Sequence, residues 1–170
     1  MASRWISVFI LISATLGFGP MLYRLQVSAQ QTTNNGRADR TFLASKLAAQ
    51  RHLPFSSGVR VGDTLYVAGT TADPDKIAAG LSPEQEAREV MEQLKQGVQQ
   101  AGMTMDDVVS LQVFCTDLAF YDAFNGVYRT YFRQNFPART FVGVAHVLFG
   151  ARFEVNGVAI ATTNRVLTGK

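Results

Sequence analysis

Apolar positions across residues 55–161 follow two periods, alternating by two in some stretches and recurring every three to four in others. Residues 55–61 and 64–69 have the strand period, and Val61-Gly62-Asp63-Thr64 reads as the hairpin turn between them. Residues 71–81 read as a loop, with Asp73-Pro74-Asp75 as the turn signal. Ser82-Pro83-Glu84-Gln85 then opens a helix. Ser82 suits the cap, Pro83 the first helical position, and Gln85 completes a capping box. Ala87, Val90, Met91, Leu94, Val98 and Ala101 recur with helical period, so one face is buried, and Gly102 suits a left-handed end.

Residues 108–116 alternate as a strand. Asp117 is a candidate cap for a second helix, with Phe120, Phe124, Val127, Tyr128, Tyr131 and Phe132 as its apolar face. Its pattern runs to Phe136, where Pro137 closes it. Two apolar runs, 141–149 and 152–161, are split by Gly150 and read as a final hairpin. The order is β-β-α-β-α-β-β, an α+β fold with two helices on one face of a mixed sheet. The last strands are apolar on both sides, so the other sheet face needs cover, which predicts an oligomer.

The N-terminus has a different character. Met1-Ala2-Ser3-Arg4 is a short basic start, and residues 5–23 hold no charged side chain. Val27-Ser28-Ala29 supplies the residues of a cleavage site, so 1–29 read as a secretory signal peptide. The rival reading is an uncleaved membrane anchor over 5–23. Residues 30–46 are polar and read as a disordered linker, 47–163 as the domain and 164–170 as a tail. The expected location is therefore periplasmic or secreted, with membrane contact only through an uncleaved N-terminus.

This segmentation changes the charge. Without residues 1–29 the chain keeps 14 basic and 13 acidic residues, a net charge of +1 in place of +3. No basic stripe remains, which argues against nucleic acid as a partner. Cys115 is the sole cysteine, set in an apolar run, and reads as a core residue. His52 and His146 are isolated, with no metal-ligand spacing around them. There is no phosphate loop, dinucleotide fingerprint or serine nucleophile elbow, and Ser56-Ser57-Gly58 reads as a strand start. Arg139, in Pro137-Ala138-Arg139-Thr140, begins a strand among apolar neighbours. A guanidinium there requires a partner. Its planar fork suits a carboxylate, which is either Glu154 or another acid of the fold, or the carboxylate of a small ligand.

Several blocks together resemble a known family: Pro54-Phe55-Ser56-Ser57-Gly58-Val59, Leu65-Tyr66-Val67-Ala68-Gly69-Thr70, Ala101-Gly102-Met103 followed by Asp107-Val108-Val109, Val113-Phe114-Cys115-Thr116-Asp117-Leu118, Asn125-Gly126-Val127-Tyr128, Phe136-Pro137-Ala138-Arg139-Thr140 and Phe153-Glu154-Val155. The chain is similar over residues 53–161 to the Rid (reactive intermediate deaminase, YjgF-like, endoribonuclease L-PSP) family. The resemblance implies a chorismate-mutase-like fold and a homotrimer with clefts between subunits. It implies hydrolysis of 2-imino or enamino acids to 2-keto acids and ammonia, without metal or organic cofactor. Arg139 matches the family arginine that binds the substrate carboxylate. Asn125 matches a cleft asparagine, and Gly69 a glycine whose backbone lines the cleft.

The departures are as specific. Phe55 stands where the family has tyrosine, Ala68 where it has serine, and Phe141 where it has cysteine. Asn156 matches the glutamate that handles water, and Glu154 matches a different acid. An amide cannot act as a general base. Glu154 shares a strand face with Asn156 but lies about 7 Å away. The resemblance thus leads to two functions: imine deamination with Arg139 as clamp, or small-carboxylate binding without turnover. RNA cleavage, suggested by the older family name, is opposed by the charge and the export signal.

Overall fold

The computed structural model describes residues 39–132 and 135–162. The signal or anchor over 1–29, residues 30–38 of the linker and the tail 164–170 lie outside the described residues.

Helix α3 (Pro83–Gln100) begins as its sequence requires. The Gln85 N–H donates to the Ser82 hydroxyl at 3.3 Å, and the Ser82 N–H donates to the Gln85 side chain at 2.8 Å. Its buried stripe includes Val90, Met91, Leu94 and Val98. Helix α4 (Tyr121–Tyr128) packs against α3. Both lie over a six-stranded mixed sheet built from β1 (Arg40–Leu43), β2 (Gly58–Val61), β3 (Thr64–Thr71), β4 (Val108–Cys115), β5 (Ala138–Gly143) and β6 (Phe153–Ile160). The strand order is β1-β2-β3-β6-β4-β5, with β4 and β5 parallel and every other pair antiparallel. The α+β class with helices on one face agrees with the sequence pattern.

Four local expectations are corrected. Strand β1 and the start of α1 (Lys46–Arg51) fall inside the stretch read as a disordered linker. Arg40-Thr41-Phe42-Leu43 is short and pairs along β2, burying only Leu43, so it carries little hydrophobic signal. The loop over 71–81 contains α2 (Pro74–Ala78), capped by Asp73, whose carboxylate accepts from Asp75 N–H at 2.9 Å. The second helix stops at Tyr128, because Thr130 and Tyr131 donate three residues back and tighten the chain into a turn. Finally, β5 and β6 form no hairpin. The chain crosses over through α4 to lay β5 parallel to β4, at the sheet edge, and β6 then inserts between β3 and β4.

Register fixes which residues face the helices. Leu111, Val113 and Cys115 of β4 are level with Gly157, Val155 and Phe153 of β6, and all the non-glycine members are buried. Burial pushes the Cys115 thiol up, and its Sγ donates to the Asp117 carbonyl at 3.0 Å, so it is an inert core group. The alternate residues face the other way. Phe42, Val59, Tyr66 and Val158 form one row across β1, β2, β3 and β6, and Phe42 and Tyr66 are 65% and 54% exposed. Within one chain this sheet face has no covering layer among the described residues.

One buried charge ties the two layers together. Glu86 of α3 is wholly buried and accepts from the backbone N–H groups of Arg152 and Phe153. Arg152 Nη1 donates to Glu86 at 2.6 Å and to the Leu81 carbonyl at 3.1 Å. The carboxylate therefore holds the first residues of β6 under the N-terminal half of α3. Replacing Glu86 by Ala strands two backbone donors and a guanidinium, and should cost about 3–5 kcal/mol. The expected result is a urea midpoint lowered accordingly, with the slope unchanged.

Candidate active site

The residues singled out from the sequence fall into two groups, on opposite faces of the sheet. The first gathers at a β-bulge. Val67 is level with Gly157 and Thr70 with Val155, so Ala68 and Gly69 together oppose the single residue Asn156. Bulges re-aim side chains and are over-represented beside active sites. Gly69 leaves room for a neighbour: a Cβ there would overlap Glu154 Oε1 and lie 3.0 Å from its Cδ. The carboxylate against Gly69 thus belongs to Glu154, while Asn156 lies on the same strand face. The glycine itself was the available signal, since a side chain at 69 would exclude that acid.

Phe55 and Ala68 line one groove with Phe42, Val59 and Tyr66, a space of about 590 Å³ on the open sheet face. The Ala68 N–H donates to the Ser57 carbonyl at 3.1 Å. The Ser57 hydroxyl contacts the Leu43 and Ala44 carbonyls at 3.2 and 3.1 Å, so it holds β1 to the start of β2 and is not free as a nucleophile. The groove wall is apolar where the resemblance leads to hydroxyls at 55 and 68. Phe42 joins it from β1, which sequence reasoning missed altogether.

The second group lies on the helix side. Arg139 and Phe141 of β5 are level with Leu111 and Val113 of β4, which face the helices. The Arg139 guanidinium carbon lies 4.6 Å from the Tyr128 ring centre, 5.5 Å from Phe141 and 5.8 Å from Tyr121. Asn125 is half-buried and shares a flank of α4 with Tyr121 and Tyr128, four residues after one and three before the other. Burial raises the Tyr128 phenol above its ordinary range, opposed by the positive charge of Arg139.

No ion pair among the described residues involves Arg139. Glu154 is level with Phe114, between the buried Phe153 and Val155, and so faces away from the helices. Of the partners left open by the sequence, a closed salt bridge from Arg139 to Glu154 is therefore not formed. One chain presents a cationic fork at its sheet edge and, on the opposite face, a carboxylate with an amide beside it. The first group can handle water and the second can hold an anion, but within a chain they do not converge.

Comparison with known proteins adds to this geometry. The family model described as Endoribonuclease L-PSP matches residues 45–161. A 2-iminobutanoate/2-iminopropanoate deaminase of Dermatophagoides farinae is 31% identical over 121 residues, 69% of this chain and 94% of that protein. The crystal structure of yeast Mmf1 superposes with a TM-score of 0.65 at 26% identity, over 73% of this chain and all of that one. E. coli TdcF, solved with bound serine, gives a TM-score of 0.60 at 26% identity, over 64% of this chain and 89% of that one. The matched span holds both groups of residues, from Phe55 to Asn156, in the fold these relatives share, and the chain belongs to the endoribonuclease L-PSP family, the Rid or YjgF-like proteins.

Proposed function

We propose that the protein is a hydrolytic deaminase of 2-imino acids, with the site assembled between subunits of a homotrimer. The observation that carries the reading is the placement of Arg139 and Glu154 on opposite faces of one sheet, each lacking a partner of the opposite charge among the described residues. A second copy docked on the open face brings one chain's Arg139 to another chain's Glu154. The exposed row of Phe42 and Tyr66 supports such docking. The deaminase name of the mite relative and the serine bound in the E. coli relative support an amino-acid-like carboxylate as the ligand.

The chemistry follows from those groups. Arg139 holds the substrate carboxylate through its fork. Water adds to the imine carbon as the C=N bond opens, giving a carbinolamine. Glu154 takes the proton from that water and returns it to nitrogen. The carbinolamine hydroxyl then gives its proton through Glu154 to the nitrogen as the C=O bond forms and the C–N bond breaks, and ammonia and the 2-oxo acid leave. Asn156 hydrogen-bonds the water, and Gly69 presents backbone in place of a side chain that would fill the space. Asn125 stands beside the clamp, Phe141 forms its wall, and Phe55 and Ala68 give an apolar face to the substrate side chain. Export by residues 1–29 would place this reaction outside the cytoplasm.

Ammonia release from freshly generated 2-iminopropanoate tests the chemistry. Glu154→Gln should lower kcat at least a hundredfold with KM little changed, since general acid–base groups contribute about 10²–10⁴. Asn156→Asp should not restore the loss in that background. Arg139→Ala should instead weaken 2-oxobutanoate binding in calorimetry by about tenfold or more, the scale of a charge-assisted hydrogen bond. A wild-type protein that binds 2-oxobutanoate through Arg139 but releases ammonia no faster than buffer would be the carboxylate-binding module instead.

A further inference from the structure

Arg139 is held in an unusual way for a half-buried cation. Apart from a long contact of 3.5 Å to the Tyr121 hydroxyl, none of its side-chain N–H groups donates to a protein acceptor among the described residues. Three aromatic rings lie within the distance at which a guanidinium is attracted to a ring face. The nearest, Tyr128, is 4% exposed. Its own ring is fixed by Phe124, Phe132 and Phe136, at centroid distances of 6.0, 4.8 and 6.1 Å. The Tyr128 hydroxyl is buried and has no hydrogen-bond partner among the described residues. It makes no hydrogen bond to Arg139, so the ring is the part of this residue that serves Arg139.

We propose that Tyr128 is a positioning residue: its ring holds the Arg139 guanidinium where a protein carboxylate would otherwise sit, and so leaves the fork free for a ligand anion. Rings attract the cation without occupying its five N–H donors. A salt-bridged arginine must give up its partner when a ligand arrives, and an unsupported one must lose rotamer freedom. An arginine held by rings does neither. Phe141, bulkier than the cysteine expected at its position, is a second wall of the same cradle. The inference rests on carboxylate binding at Arg139 for its purpose, but the cradle itself is testable without any ligand.

The test uses the full chain, isotopically labelled, with Tyr128→Phe, Tyr128→Leu and Phe141→Leu. In the wild type the Arg139 side-chain protons should show upfield ring-current shifts. Tyr128→Phe should keep them, and Tyr128→Leu should return them towards ordinary arginine positions. Calorimetry with 2-oxobutanoate should give wild-type affinity for Tyr128→Phe and about a three- to tenfold loss for Tyr128→Leu, the range of one ring–cation contact. If Tyr128→Leu does not fold, Phe141→Leu should show a partial loss of shift and affinity. Unshifted Arg139 in the wild type overturns the proposal. So does equal loss in the Phe and Leu variants of Tyr128, which would make the hydroxyl the operative group, or full affinity in a folded Tyr128→Leu. A wild type that binds no 2-oxobutanoate yet shows shifts dependent on Tyr128 keeps the cradle and removes the carboxylate function.

Discussion

The buried carboxylate of Glu86 sets the register on which the rest of the structure depends. It accepts from the first two N–H groups of the β6 region and from the Arg152 side chain, and so pins that strand to α3. Side chains in a strand alternate between faces, so a slip of one residue would turn the whole strand over. With Arg152 fixed, Phe153 and Val155 enter the core and Glu154 and Asn156 emerge on the open face. The bulge in β3 then falls opposite Asn156, and Gly69 meets Glu154. A structural charge beneath the helix thereby places the Glu154 carboxylate on the other side of the sheet.

The edge strand supplies the other half. β5 reaches β4 by a parallel crossover through α4, so the helix that carries Tyr121, Asn125 and Tyr128 lies directly over the strand that carries Arg139 and Phe141. The proposed clamp is therefore built from two neighbouring elements, whereas Glu154 lies two strands away and faces outward. A sheet one layer thick cannot bring these together within a chain. The exposed apolar row on its open face is what makes assembly of several chains the proposed solution.

Much of this was legible in the residues. The capping box at Ser82, the stripe of α3, the alternation of 108–116 and the hairpin at Gly62 each carry a local signal, and each forms as its signal requires. Strand β1 was not legible, because four residues with one buried side chain do not rise above a polar background. The pairing of β5 and β6 was misread for a different reason. Two apolar runs beside a glycine suit a hairpin, and nothing local reveals that one run pairs in parallel with a strand 28 residues earlier, Ser110 with Ala138. Arg139 was visible as a charge needing a partner, but an aromatic stripe at helical spacing reads as core until the register brings it over the guanidinium. Glu154 and Gly69 were each visible in the sequence, but the bulge that brings them together leaves no mark on residue spacing.

The most direct test of the central claim, a site shared between chains, mixes two inactive proteins. Arg139→Ala and Glu154→Gln chains would be unfolded together in equal amounts, refolded, and assayed for deamination of 2-iminopropanoate. In a cyclic assembly with random mixing, about a quarter of the sites would join an intact Arg139 from one chain to an intact Glu154 from another, so about a quarter of wild-type activity should return. A mixture no more active than the two variants refolded separately, from assemblies shown by mass spectrometry to contain both chains, would contradict it.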